Sequence, residues 1–346
     1  MRACVLTATG GLAHVAVQQV PDAGPPGAGA VRVAVRAAAL NHLDLFVAQG
    51  LQGVEYRFPL IMGGDGAGVV DAVGTGVTAV RPGDSVLINP GVADYTCDSC
   101  RAGEHALCPN YGLLGEHLPG TLAEYVLVPE QNVARMPKLD PALSWAEAAA
   151  FSLVTLTAWR MIVTRARVRA GETVLVWGVG GGVALAAMRI AKLLGARTIV
   201  TSSSDAKLQE AQRLGADVTF NHRTQKVAQE VRALTQKRGV DVVVDNVGEA
   251  TWGDSLRMLG RGGRLVTCGA TTGPTVSMDA RRLFWYQWTI MGSTMGNLAE
   301  YAEVVRRLGQ GELRPVVDRV FPLADVRAAL ERLERGEQLG KIAVEI

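Results

Sequence analysis

Two short stretches carry residue types that could do chemistry. In the first, three of the five cysteines, Cys97, Cys100 and Cys108, fall within a twelve-residue span. Thiolates this close together bind zinc-like metals, and in a chain without an export leader they read as a metal site rather than a disulfide framework. In the second, an apolar β-rich run, Thr173–Trp177, breaks on Gly178, Gly180, Gly181 and Gly182. It continues with apolar residues at helical spacing (Val183, Ala187, Ile190, Ala191, Leu194) up to Gly195. Strand, glycine turn and helix in that order let a backbone approach a pyrophosphate closely, with helix N-terminal N–H groups aimed at it. No G-x-G-x-x-G register fits; the nearest pattern is G-x-x-G-x-x-A over Gly178, Gly181 and Ala184.

The elements that must position these residues change character at about Ser144. Residues 1 to about 90 alternate short β-type runs with Pro/Gly turns: ACVLTA, HVAVQQV, the strongly alternating AVRVAVRAAAL, GAGVVDAVG and SVLI. That pattern predicts an antiparallel, barrel-like domain. Ser144 and Glu147 in SWAE fit a capping box that opens a helix, and a second helix is expected over Leu153–Arg165. From Glu172 strands and helices alternate, as in RTIVTS, DAKLQEAQRLGA, DVTFN, TQKVAQEVRALTQK, VDVVVDNVG, TWGDSLRMLG, GRLVTCG and WTIMGST. This predicts a doubly wound parallel sheet with ligand chemistry at the strand C-termini. Two helical stretches around PVVDRVFPL and a strand, GKIAVEI, follow.

A chain of 346 residues with 48% hydrophobic and 20% charged residues is expected to form two globular domains. Its net charge of +2 offers no field for nucleic acid or an anionic membrane. The uncharged run Thr173–Met188 is glycine-broken and shorter than the roughly 20 apolar residues a bilayer needs. MRACVLTATGG reads as a first strand, and a cytoplasmic location is expected.

Together these features resemble the medium-chain dehydrogenase/reductase superfamily, which holds the zinc alcohol dehydrogenases and the zinc-free quinone oxidoreductases. The segments AAALNHLDLF, GGDGAGVVDAVGTGVTAVRPGD, CRAGEHALC, LTAW, GGRLVTCGATTG and GKIAVEI carry the resemblance, which spans essentially the whole chain. It implies an α/β fold: a GroES-like β-barrel catalytic domain over 1–154 with a metal lobe at 94–108, and a Rossmann domain over 155–293. Residues 294–346 would return to the catalytic domain. It also implies hydride transfer to or from a nicotinamide in the cleft between the domains. The turn GVGGGVA resembles the longer GASGGVG form of the zinc-free branch.

The resemblance implies two metal sites, which this chain treats differently. Where the family's catalytic zinc takes a Cys, a His and a third ligand, Asn41, Gly64 and a position near Leu153 stand here. Leu43 and Phe46 replace the proton relay, so a catalytic zinc is not expected. A substitute set from His42, Asp44 and Asp65 is an alternative, although on a strand His42 would face away from its neighbour. The structural site of the family is C-x2-C-x2-C-x7-C, and here it reads Asp94, Cys97, Cys100 and Cys108. Carboxylate oxygen is an acceptable zinc ligand, so a structural zinc is expected on these four, with His105 as an alternative fourth ligand.

By the same resemblance, Ser202 stands where NAD-preferring enzymes carry an acidic residue. Ser202, Ser203 and Ser204, with Lys207 as a point charge, form a pocket for a 2′-phosphate, so NADP(H) is expected. Asp205 is the counter-signal and is read as a helix cap. Further cofactor contacts are expected in the turn (Gly178, Gly180, Gly181, Gly182, Val183) and at Asn246, Val247, Gly269, Ala270, Ser293, Thr294 and Met295. Lys341 is expected near the phosphates. Without a Lewis acid, the expected reaction passes hydride from NADPH to an electron-poor small molecule such as a quinone or α,β-unsaturated carbonyl. Asn41 and Asp44 would hold the nicotinamide ribose or the substrate oxygen. A zinc-dependent alcohol dehydrogenase, or a non-catalytic NADPH-binding structural or sensor protein, are the alternatives. The aromatic run Phe284, Trp285, Tyr286 and Trp288 is expected near a homodimer interface, or as a cover over the cleft.

Overall fold

Valines at alternate positions of the strand Ala30–Ala39 place Val31, Val33 and Val35 on one buried face. In the computed structural model, which describes all 346 residues, this strand is the hub of a seven-stranded sheet. The order along the sheet is Val133–Arg135, Ser85–Ile88, Asp65–Val73, Ala30–Ala39, Lys341–Glu345, Val317–Pro322. Tyr125–Pro129 pairs with the first half of the hub strand. All ladders are antiparallel except the one between Val317–Pro322 and Lys341–Glu345. A smaller sheet joins Val15–Gln19, Arg2–Leu6 and Leu60–Ile61. Gly68 lies so close to Ala34 on the paired strand that a Cβ would strike its carbonyl, so this glycine of GGDGAG is a packing requirement of the two strands. Helices His42–Gln49 and Val326–Glu334 close one side over a core of Leu6, Leu40, Val47, Met62, Leu330 and Ile342.

The chain divides into two units, residues 1–156 with 296–346, and residues 157–295. The second is a six-stranded, all-parallel sheet in the order Val218–Asn221, Arg197–Ser202, Thr173–Val176, Val240–Val244, Leu259–Thr267, Thr289–Gly292. Val174–Val176 and Val242–Val244 are fully buried, as runs in a sheet covered on both faces must be. This is the doubly wound arrangement, with its reversal at Thr173–Val176.

The expected capping box is present: Ser144 Oγ accepts the Glu147 N–H at 3.2 Å, and Glu147 accepts the Ser144 N–H at 2.9 Å. The helix expected over Leu153–Arg165 begins at Ser152, stays α to Trp159 and then widens into a π-helical turn, Arg160–Arg165. The β-branched run Ile162–Val163–Thr164 weakens the α preference there. The wider turn also brings Arg165 Nε within 3.0 Å of the Gly292 carbonyl.

Candidate functional site

In the second unit, the turn after Thr173–Val176 holds Gly178 at φ +69, a conformation that strains any residue with a Cβ. The Gly178 N–H donates to Thr201 Oγ1 (3.2 Å) and the Val179 N–H to the Thr201 carbonyl (2.8 Å), tying the turn to the next strand. Gly181 caps the helix Gly182–Leu193 with no side chain over its first N–H groups. A Cβ at Gly181 would meet only the Gly178 carbonyl, and one at Gly178 would project toward Val247. Absent Cβ atoms therefore leave an open cradle over the first N–H groups at Gly182 and Val183, which suits a pyrophosphate. Gly180 is buried beneath it.

Asp245, fully buried at the end of Val240–Val244, shapes the next loop. Its carboxylate accepts the N–H groups of Val247 (3.0 Å) and Gly248 (3.1 Å) and the hydroxyls of Thr251 (2.8 Å) and Ser255 (2.6 Å). Asn246 Oδ1 is left buried with no partner, and so is Ser293 Oγ beyond Thr289–Gly292. Two orphaned polar atoms at the C-terminal ends of strands in one parallel sheet are what a bound polar ligand would satisfy. Gly269 shares the Thr267 hydroxyl, Ala270 and Thr294 are exposed, and Met295 is buried with its sulfur 3.5 Å from Thr157 Oγ1. A cavity of about 710 Å³ opens among Trp177, Gly178, His222, Val247, Thr251 and Arg257.

At the expected 2′ end, Ser202 is buried and its Oγ accepts the Ser204 N–H at 3.2 Å, while Ser203 is exposed. Ser204, not Asp205, caps the helix Asp205–Arg213, accepting the Lys207 N–H at 3.4 Å. Asp205 is drawn away because Asn221 Nδ2 donates to its carboxylate at 2.7 Å. The neighbouring strand adds two residues that no motif marked. The His222 N–H donates to the Ser202 carbonyl, and Arg223 follows it, exposed. Burial and the Arg223 charge push the His222 imidazole below its ordinary range.

In the first unit, Asn41, Asp44, Asp65 and Lys341 form one buried network. Lys341 Nζ donates to Asn41 Oδ1 (2.5 Å) and Asp65 Oδ2 (2.9 Å). Asn41 Nδ2 donates to Asp65 Oδ2 (3.0 Å) and the Ala39 carbonyl (3.3 Å), and the Leu153 N–H to Asp65 Oδ1 (2.7 Å). Asn41 precedes the helix His42–Gln49, and Asp44, three residues on, accepts the Asn41 N–H at 2.7 Å. Lys341 is 3% exposed and Asp65 fully buried. A carboxylate this deep requires a cation and donors, which Lys341, Asn41 and the Leu153 N–H supply. Asn41 Nδ2 is thus engaged by Asp65 and the Ala39 carbonyl and its Oδ1 by Lys341, while Asp44 is 3% exposed and bonded to its own helix start. Burial pushes the Asp44 carboxyl up to about 6. Burial and the Lys341 charge hold His42 below the ordinary imidazole range.

The three positions of the family's catalytic metal lie around this network, since a Cβ on Gly64 would sit 3.4 Å from Leu153 Cδ1. A bonded amide, a glycine and a leucine supply no ligand set. Asp65 is already taken by three donors, one of them an ammonium. These residues do not fit a catalytic zinc.

The lobe does fit a structural one. Asp94, Cys97, Cys100 and Cys108 each offer a ligand atom, all within 4.8 Å of one another. Zinc bonds of about 2.0–2.3 Å would need only a modest contraction. Cys97 opens the short helix Asp98–Arg101, which carries Cys100, and no cysteine is in a disulfide. Backbone N–H groups of Asp94 (3.5 Å) and Asn110 (3.4 Å) point at Cys108 Sγ. His105 stands apart from the four: its Nδ1 accepts the Leu298 N–H at 3.4 Å, and its ring lies 5.5 Å from that of Tyr95. No helix is long and apolar enough to cross a membrane.

Two family models match: the alcohol dehydrogenase GroES-like domain over residues 27–138 and the zinc-binding dehydrogenase over residues 182–310. An NAD-dependent alcohol dehydrogenase of Sulfolobus acidocaldarius is 33% identical over 328 residues, covering 92% of this chain and 93% of that one. An acryloyl-coenzyme A reductase of Metallosphaera sedula is 31% identical over 328 residues, covering 94% and 95%. The crystal structure of an NAD-dependent alcohol dehydrogenase is 43% identical, covers both chains in full and superposes with a TM-score of 0.95.

Proposed function

The chain belongs to the medium-chain dehydrogenase/reductase superfamily, among its zinc-type alcohol dehydrogenase-like members, and on that premise we propose that it reduces α,β-unsaturated carbonyl compounds with NADPH and no catalytic metal. As a member it is an NAD(P)-dependent oxidoreductase. The observation that supports the substrate class is the Lys341–Asp65–Asn41 network at the positions of the absent metal ligands. Alcohol oxidation is helped most by a Lewis acid that acidifies the hydroxyl, and Asn41, Gly64 and Leu153 supply no ligand set for one. A polarised C=C accepts hydride at carbon, and the enolate can take its proton from water. The acryloyl-coenzyme A reductase relative favours enones and enoyl thioesters over quinones within this class.

NADPH, when bound, supplies the hydride. The first N–H groups of helix Gly182–Leu193 hold its pyrophosphate, and Asn246 Oδ1 and Ser293 Oγ offer their unpartnered atoms to it. Val247, Gly269, Ala270, Thr294 and Met295 line the strand ends beside them. Neutral Ser202 and Ser203, with Lys207 and Arg223, receive the 2′-phosphate. Asn41 and Asp44 act as positioning residues that fix the start of helix His42–Gln49. Zinc on Asp94, Cys97, Cys100 and Cys108 cross-links the lobe.

Phe284 and Trp285 are 68% and 66% exposed on helix Ala280–Tyr286, next to the edge strand Thr289–Gly292, and this apolar edge is read as a homodimer contact. The decisive experiment is a panel of enones, enoyl thioesters, quinones and alcohols with NADPH and NADH, with metal content measured on the same sample. Enone or enoyl-thioester reduction at no more than one metal ion per chain is expected. Alcohol turnover that requires a second metal equivalent would overturn the proposal.

A further inference from the structure

We infer that Asn110 is the residue that makes Asp94 a metal ligand, by leaving the carboxylate a single free lone pair, on Oδ2, for a zinc-class divalent cation. The inference rests on the reading of the lobe as a structural zinc site. It concerns how a carboxylate does there what the family does with a fourth thiolate.

The two carboxylate oxygens of Asp94 are not equivalent. Oδ1 accepts the N–H groups of Thr96 (2.8 Å) and Cys97 (2.9 Å) and lies 3.4 Å from the Thr96 hydroxyl, so its lone pairs are used. Oδ2 accepts one nitrogen donor, Asn110 Nδ2 at 3.1 Å, and otherwise meets the thiols of the lobe, which lose their protons on binding metal. A carboxylate oxygen has about two acceptor sites, so Oδ2 keeps one. Asp94 therefore binds metal through one oxygen, giving a site of three thiolates and one carboxylate with the four ligands of a closed tetrahedron.

Asn110 acts on two ligands at once. Its side chain holds Asp94 Oδ2, and its own N–H points at Cys108 Sγ (3.4 Å). Three thiolates and a carboxylate overload a divalent cation with negative charge, and N–H donors to the ligand atoms offset that excess. Position matters as well. Cys100 and Cys108 are buried while Asp94 is only half-buried, so the carboxylate is the edge from which water would displace a ligand. Asn110 stands on that edge, exposed, and its removal leaves the core of the lobe unaltered. Outer partners of this kind are typically worth about 10- to 100-fold in metal affinity.

The test uses the full-length protein and two metals. Zinc affinity is measured by competition with a chromophoric chelator, and coordination by the visible bands of the cobalt-substituted protein. Wild type is expected to bind one ion with a tetrahedral, thiolate-rich cobalt spectrum. Asn110→Ala should weaken zinc roughly 10- to 100-fold and speed its release while leaving the melting temperature of the metal-free protein unchanged, and Asn110→Ser should recover part of the loss. Asp94→Asn should lose the tetrahedral spectrum, and His105→Ala should keep it. If Asn110→Ala binds zinc as tightly as wild type, the inference fails and the structural site stands. If His105→Ala loses the spectrum and Asp94→Asn keeps it, Asp94 is not the ligand. If wild type binds no metal, both readings fall.

Discussion

Replacing Lys341 with Met keeps a long unbranched side chain and removes the only ion-pair partner of Asp65. Asp65 then retains the Leu153 N–H and Asn41 Nδ2, and Asn41 Oδ1 loses the ammonium it faces. Removing one partner of a buried pair typically costs about 3–5 kcal/mol, because the other charge stays buried and uncompensated. Both partners are at the fully buried limit, 3% and 0% exposed, so little solvent screening reduces that figure. At roughly 2–4 °C per kcal/mol for a unit of this size, the expected fall in Tm is on the order of 6–20 °C. Urea unfolding of wild type, Lys341→Met, Asp65→Asn and the double variant gives the coupling directly. The double variant has no buried charge left in the pair and should recover at least about 2 kcal/mol relative to Lys341→Met. Lys341→Arg, which keeps the charge, should fall between wild type and Met. A Lys341→Met protein within about 1 kcal/mol of wild type, or additive single effects, would refute the claim that this pair holds the site together.

The carboxyl of Asp44 is pushed from 3.8 up to about 6, so the folded protein holds that proton more tightly than the unfolded chain. Its contribution to stability is present below about pH 3.8 and is lost as pH rises through about 6, on the order of 3 kcal/mol in all. Asp44→Asn, whose amide oxygen can still accept the Asn41 N–H, should flatten the decline in urea midpoint over that window; an unchanged slope would assign the titration elsewhere. Ser202→Asp should turn the preference toward NADH by at least about tenfold in kcat/KM ratio, since a carboxylate there repels a 2′-phosphate. An unchanged ratio would place cofactor choice on other residues. Phe284→Asp with Trp285→Asp should yield a monomer by sedimentation at micromolar concentration with an unchanged circular dichroism spectrum. A wild-type monomer would remove the basis for that reading.

Features set by neighbours along the chain are legible in the sequence. Ser144 and Glu147 lie one helical turn apart and find each other, and the alternation of Ala30–Ala39 places its valines as expected. The glycine turn follows the same logic, since φ, space and helix start are all local. Asp205 shows the limit of local reasoning. Two cap candidates stand side by side, and the choice is made by Asn221, on another strand. Lys341 and Asp65 are 276 residues apart, and no periodicity announces a pair between a sheet strand and a distant glycine-rich one. Asp245 and Asn110 were missed for a related reason. Each is a single polar residue beside a recognised motif, and its value lies in which backbone groups the fold brings within reach.

The Lys341–Glu345 strand sits between Ala30–Ala39 and Val317–Pro322, in the interior of the first unit's sheet. That placement dictates an order of events during synthesis. Residues 157–295 form a contiguous unit and can close their parallel sheet as soon as they emerge. Residues 1–156 cannot complete theirs until residue 345 has left the ribosome. At about 5–20 residues per second, that half-sheet waits on the order of 10–40 s. Through that interval the second half of the hub strand, Ala37–Ala39, presents an unpaired edge, its first half being paired with Tyr125–Pro129. The middle of the chain is therefore the first part able to complete its sheet, and Ala37–Ala39, made early, are among the last residues to gain all their partners.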